Sequence, residues 1–308
     1  MFHHYWIRVE SHRYGATSSL LGLGAATPEM LYHIVERNAR ARAGGVMSAP
    51  PMQTRTPEQV ERLRAALCKE AEAADFERFV AALGGHHRCF ERFLIARNDN
   101  LEKAAAMLLA TLAFRRELSL DAEPRPACDP TIVERVQPLW PGSYAGFTPD
   151  NSPILYFAYG SLDVRGFYEV APEADLRAFY VAFMERSLSL QNETNSDDGT
   201  PWRGMVEVHN LRGVGFGHIY VPGLRMLARV LKIGQDHYPE NMRKTFFINA
   251  PMVFSAAWAI VSTVLDERTL AKITITSGDG GDDLRDYVGG AERLSEILAS
   301  LQTPVILQ

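Results

Sequence analysis

Cysteine is scarce in this chain, and what there is forms no pattern. Cys68, Cys89 and Cys128 stand in unrelated contexts, with neither a CxxC pair nor Cys/His ligand spacing. That argues against a disulfide frame and a thiolate zinc site and suits a reducing cytosol. An excess of basic charge is also missing: 32 Lys and Arg against 37 Asp and Glu leave a net charge of -5. A nucleic-acid partner therefore has no overall electrostatic support, and any cationic site must be local. No apolar run reaches the roughly 20 residues that span a bilayer; the longest, FSAAWAIVSTVL from Phe254 to Leu265, falls well short. The opening MFHHYWIRVESHRYG has no apolar core of the kind a secretory leader needs. The expectation is a soluble, cytoplasmic protein in which the NET sequon at Asn192 is an accident of composition.

Enzyme signatures are missing as well. A hydrolase reading needs Gly-x-Ser-x-Gly at a strand-to-helix turn, and the nearest string, GSYAG at Gly142, places Tyr144 in the middle. There is no Walker loop, no HExxH and no strand-linked GxGxxG; GLGAAT at Gly22 lacks both the strand and the third glycine. GDGGDD, from Gly278 to Asp283, lacks EF-hand ligand spacing and the closing glutamate. It reads as a solvated acidic turn capping the helix DDLRDYV. No catalysed reaction, metal or cofactor is expected.

What is present is enough apolar residue, 46% of 308, for one sizeable core. Residues 1–55 read as a weakly ordered extension, with a short helix around PEMLYHIVERNARARA and then the breaker GGVMSAPPMQT. Residues 56–130 read as a small helical region. Thr56 is a suitable N-cap with Pro57 at the first helical position and Gln59 as capping-box partner, and a second helix starts with Asp99 as cap and Glu102 three residues on. From 131 to 293 the texture changes: strands are expected at 153–159, 204–211, 244–250 and 271–276. Helical stretches lie between them, with Leu176, Tyr180 and Phe183, then Leu224, Leu227 and Leu231, at helical spacing. Strands alternating with helices predict an α/β layer on a largely parallel sheet. NETNSDDGTPW reads as an exposed loop and 294–308 as a tail.

Of the nine histidines, His209 is the one to weigh. Side chains alternate along MVEVHN, so Met205, Glu207 and His209 share one face. A carboxylate beside an imidazole on a buried strand is either an acid/base pair or a satisfied polar pair lining a cavity. No nucleophile or metal ligand stands near them in a recognisable pattern, which favours the second reading.

Two longer strings carry a resemblance. ERFLIARNDNLEKAAAMLLATLAFRREL, and KIGQDHYPENMRKTFFINAPMVFSAAWAIVSTVLDERTLAKI with its ordered YPE, INAP, FSA.W and LD..T..KI, resemble the CRAL-TRIO, or Sec-fourteen-like, family of lipid-binding and lipid-transfer proteins. The resemblance runs over roughly residues 56 to 293 and implies one lipid in a closed apolar pocket, exchanged at membranes past a mobile gate helix. MVFSAAWAIVSTVL, apolar nearly all round, suits that gate.

Carried over residue by residue, the resemblance implies that Arg97, Glu240, Thr269 and Lys272 hold a phosphatidylinositol head group. The two cations would supply charge-assisted donors to phosphate. Asn98 and Asn241 replace cations usual in the family, so charge compensation is expected to be weaker. Met205 and Glu207 replace the small hydroxyl residues of phosphatidylcholine-binding members, although Tyr144 and Tyr238 match that choline site. Met205, Glu207, His209, Tyr144, Tyr238, Phe254 and Trp258 are expected to line the pocket, and Arg243 and Lys244 to meet an anionic membrane transiently. The glycine pair Gly289–Gly290 is expected as a backbone hinge or close-packing point. Another hydrophobic ligand of sterol, retinoid or tocopherol type, or a lipid-sensing regulatory module, remains open beside transfer.

Overall fold

The structure, a computed structural model, describes residues 54–67, 74–194 and 203–299. The helix expected around residues 28–43, the GLGAAT string, Cys68 and residues 195–202 of the acidic loop lie outside the described residues.

The helical leader begins as its sequence predicts. α1 (Pro57–Ala65) opens on a capping box: Thr56 Oγ1 accepts from the Gln59 amide and Gln59 Oε1 accepts from the Thr56 amide at 2.9 Å. α2 (Ala74–Ala82), α3 (His86–Ala96) and α4 (Leu101–Glu117) follow. They close an apolar core around Phe76, Phe79, Phe90, Phe93 and Leu108. The cap of α4 is Asn100, accepting from the Lys103 amide at 2.9 Å, and not the expected Asp99. Asp99 turns away in the left-handed region and binds Arg55 Nε at 2.6 Å.

After α5 (Pro130–Val136) come β1 (Gly142–Phe147) and β2 (Pro153–Ala158), an antiparallel pair. β1, within which the GSYAG string lies, is the strand that sequence periodicity did not bring out. α6 (Val164–Val170) and α7 (Glu173–Thr194) lead to β3 (Met205–Asn210); α8 (Val221–His237) leads to β4 (Met242–Ile248). α9 (Phe254–Val261), one 3-10 turn (Ser262–Val264) and α10 (Glu267–Ala271) lead to β5 (Ile273–Ile275). α11 (Gly281–Val288) and α12 (Ala291–Ala299) close the described chain.

The sheet order is β1-β2-β3-β4-β5, with β2 to β5 parallel. Each parallel neighbour is reached by a crossover, and crossovers in one sheet are right-handed because of strand twist. Stepping in one direction with one hand puts α7, α8 and α9 on the same face. The opposite face is left to α11 and α12, whose Leu284, Val288, Leu294 and Ile297 pack on Ile154, Tyr156, Val206, Val208, Phe246 and Ile248. Leu294 and Ile297 are therefore sheet-covering residues of a helix, not the start of a tail. Gly289 ends α11 at φ 102, and a Cβ there would stand 3.1 Å from Pro149 Cγ, so the glycine pair is a left-handed helix end packed closely on a loop.

Two buried arginines join the leader to the sheet domain. Arg92 of α3 donates from Nε to the Pro239 carbonyl at 2.8 Å, and its burial lowers its pKa to about 10. Arg115 of α4 donates to both oxygens of Glu185 at 2.7 and 3.0 Å and to Asp121, while the Tyr238 hydroxyl donates to Glu185 at 2.7 Å. Breaking such a buried pair from one side leaves an uncompensated charge. Arg115→Met is expected to lower stability by about 3 to 5 kcal/mol, read as a shift in the urea unfolding midpoint; a loss under about 1 kcal/mol would mean that the network is not holding the two parts together.

Candidate functional site

Between the sheet and its crossover helices lies a cavity of about 290 Å³. Its floor is the inner face of the parallel strands. Glu207, Thr245 and Ile273 form one cross-strand row, and Phe157, His209 and Phe247 the next. Leu227 and Leu231 of α8, which their spacing marks as core residues, stay half-buried because they face this space. The roof is α9. Phe254, Ala257, Trp258 and Val261, at i, i+3, i+4 and i+7, line the cavity. The helix is shorter than the apolar run suggested, since the chain tightens into a 3-10 turn at Ser262, and Met252 before it is 74% exposed. The indole N–H of Trp258 is buried with no protein partner.

One end of the cavity is charged. The turn Tyr238–Pro239–Glu240 enters β4 with Glu240 in the left-handed region, at φ 56. Its carboxylate accepts from Lys272 Nζ and from Arg268 Nε, each at 2.8 Å. Burial alone would raise the pKa of this carboxyl; Lys272 and Arg268 outweigh that and hold it below the usual carboxylate range. Lys272 also donates to the Met242 carbonyl at 3.0 Å. Asp266 caps α10 by accepting from the Thr269 amide at 2.7 Å, accepts from Gln235 Nε2 at 2.9 Å, and lies 4.0 Å from Arg97 Nη1. Arg97, Glu240, Thr269 and Lys272, gathered from three distant segments, thus all line one end of the cavity.

Arg268 is the residue of this cluster that sequence reading missed. Its signal was available: it follows Asp266 by two in LDERTLAKI, within the same short helix as Thr269. With Arg268 the cluster holds three cations against Glu240 and Asp266, which offsets the cations absent at Asn98 and Asn241. Asn241 is instead buried and accepts from Gln191 Nε2 at 2.6 Å.

Deeper in the cavity the Glu207–His209 pair is a hydrogen-bonded chain. His209 Nε2 lies 3.0 Å from Glu207 Oε2, and the Tyr159 hydroxyl lies 3.0 Å from His209 Nδ1. Thr245 donates to Glu207 Oε2 at 3.2 Å. The His209 ring stacks on Phe157, with centroids 4.4 Å apart and planes at 10°. Burial, with Glu207 nearby, pushes the Tyr159 phenol well above its ordinary pKa. Tyr159 did not stand out in the sequence because nothing there shows that its turn faces His209.

Met205, Glu207, His209, Tyr238, Phe254 and Trp258 all line the cavity. Tyr144, the remaining residue expected in the pocket, does not come to it, and Arg243 and Lys244, expected at a membrane surface, are engaged elsewhere. Tyr144 lies on the edge strand β1, packed against the core and against the Phe147 ring, outside the cavity wall; burial pushes its phenol up to about 12. Arg243 is bound to Asp150 at 2.8 Å and to Ser152 Oγ at 2.7 Å. Lys244 pairs in register with Val206 on the outer face, half-buried beside the Phe246 ring, and that burial lowers its pKa. A pairing irregularity between Met205 and Val206 sets this register, so neither cation reaches the cavity mouth.

Among the described residues no helix is long and apolar enough to cross a membrane, and no group of three His, Cys, Asp or Glu side chains could hold a metal ion.

Comparison with known proteins agrees with this architecture. Protein real-time of Anopheles gambiae is 30% identical over 202 residues, 66% of this chain and 29% of that protein. CRAL-TRIO domain-containing protein T23G5.2 of Caenorhabditis elegans is 28% identical over 200 residues, 64% of this chain and 27% of that protein. The chain thus spans less than a third of the length of these curated relatives. The crystal structure of Sfh5 superposes with a TM-score of 0.56 at 18% identity, covering 82% of this chain and 95% of that one, which shows a shared fold. Residues 139–296, from the turn before β1 into α12, match the CRAL/TRIO domain. With the sheet and its crossover helices inside that match, the chain belongs to the CRAL/TRIO family of lipid-binding domains.

Proposed function

We propose that this chain binds one phosphatidylinositol molecule, head group at the Arg97–Arg268–Lys272 end and acyl chains along the cavity, and carries or presents it at membranes without catalysing a reaction. The observation that carries this reading is the convergence of three cations and Thr269 on one end of an enclosure whose other walls are mainly apolar. Lys and Arg donors suit a phosphate, and Thr269 can exchange hydrogen bonds with inositol hydroxyls. Glu240 takes a different part from the one expected: its oxygens are engaged by Arg268 and Lys272, so it spaces and orients those cations. The Trp258 N–H offers a donor to an ester carbonyl.

Topology supports a direction of exchange. The charged end lies where β4 and β5 begin. The loop after β3 and the approach to α9 lie where the parallel strands end, and there Phe216 is 81% exposed and Met252 74%. Val214, Ile219 and Phe254 beside them line the cavity. Exposed apolar residues at such a rim suit transient insertion into a lipid surface, in place of the contact expected of Arg243 and Lys244.

Lipid extracted from the purified chain and identified by mass spectrometry is expected to include phosphatidylinositol; recovery of neutral lipid alone would overturn the reading. Lys272→Ala combined with Glu240→Ala is expected to lower inositol-lipid transfer between vesicles by about tenfold or more, the scale of a lost charge-assisted hydrogen bond. Unchanged transfer would remove the head-group assignment. Phe216→Ser with Met252→Ser is expected to reduce co-sedimentation with vesicles several-fold; equal sedimentation would place the membrane contact elsewhere.

A further inference from the structure

The carboxylate of Glu207 stands in the apolar part of the cavity, on the strand row next to the aromatic one. Its Oε2 takes two donors, from His209 and Thr245, both of which are neutral if the Tyr159 hydroxyl donates to His209 Nδ1 and His209 Nε2–H donates to the carboxylate. No lysine or arginine among the described residues is hydrogen-bonded to or paired with Glu207. Its side chain is 18% exposed, and that exposure faces the cavity it lines. Empty, the cavity can admit water to solvate the second oxygen. A ligand that fills the space displaces that water and must answer the charge itself, because an unpaired buried carboxylate is costly.

We infer that the middle of this cavity is a site for a protonated lipid amine: an amphiphile with an apolar chain and a cationic nitrogen, carrying no phosphate beside it. Three head-group chemistries can be ranked at this point. A phosphate or sulfate is repelled by the carboxylate. An alcohol gives one hydrogen bond and leaves the charge in place. An ammonium supplies the missing cation and donors together, and the rings in the cavity wall nearby, Phe247, Phe254 and Trp258, which pack on one another at centroid distances of 5.3 to 6.1 Å, offer faces that attract a cation. This site uses none of the cations at the charged end, but it shares the cavity along which the inositol-lipid reading lays acyl chains, so the two ligands are expected to exclude each other.

The test compares dodecylamine, dodecanol and dodecyl sulfate, titrated into the full chain at neutral pH and below their micellar concentrations, with affinity read by calorimetry. The amine is expected to bind about tenfold tighter than the alcohol, a difference of about 1.4 kcal/mol, and the sulfate weakest. In Glu207→Gln the gap between amine and alcohol is expected to close to about twofold or less, while Glu207→Asp, which keeps the charge, retains a preference for the amine. The inference is overturned if the native chain binds the alcohol as tightly as the amine, a comparison that needs no variant, or if the gap survives in Glu207→Gln. Recovery of inositol lipid decides the other reading and is measured separately from this ratio.

Discussion

The hand of the crossovers is the constraint on which the rest of this structure depends. Four parallel strands laid down side by side in chain order, joined by three right-handed connections, leave one face with every crossover helix and the other with none. A sheet covered in this lopsided way must recruit later elements for its bare face, and α11 and α12 do so with Leu284, Val288, Leu294 and Ile297. On the crowded face the helices stand off the strands far enough to enclose a cavity. The connection from β4 to β5 must return from strand end to strand start, and that return path is α9. This apolar helix is thus the obligatory crossover between the last two strands, made greasy because it passes over the cavity.

The same geometry separates the two chemical ends of the cavity. Strand starts place Glu240, Met242 and Lys272 together; strand ends place the Phe216 loop and Met252 together. A lipid lying along the strands would have its charged head at one edge of the sheet and its entry at the other. Glu240 is central to the charged end because a buried carboxylate held ionised by two cations keeps both of them from turning out to solvent. The leader reaches the same turn from behind. Arg92 holds the Pro239 carbonyl, and Arg115 holds Glu185, which accepts from Tyr238. Two successive residues of this turn, Tyr238 and Pro239, are therefore tied to groups 53 and 147 positions away in the chain.

Legibility of the fold followed periodicity. The parallel strands are short runs rich in apolar residues, and the long helices carry stripes such as Leu176, Tyr180 and Phe183, so both stood out. β1 did not, because GSYAGF holds two glycines and no apolar run, and becomes a strand by pairing with β2. The cap of α4 moved by one residue because Arg55, 44 positions earlier, binds Asp99, a partner that local sequence does not reveal.

For the site, the residue types and their order along YPE and LD..T..KI were readable from the sequence; the structure shows that Asp266 caps a short helix ending at Ala271, just before Lys272. That Met205, Glu207 and His209 share a face followed from strand alternation alone. Which cations meet Glu240 was decided by tertiary structure, because Arg268 and Lys272 reach it across the sheet edge from a helix whose orientation depends on the α9 crossover. The fate of Arg243, Lys244 and Tyr144 was decided there too: a register irregularity on β4 sends two cations to the outer face, and edge position keeps a tyrosine out of the cavity. Sequence determined what each segment becomes, through local periodicity and capping. Which side chains share an enclosed space depended on register and crossover hand, properties of the whole sheet that no single segment contains.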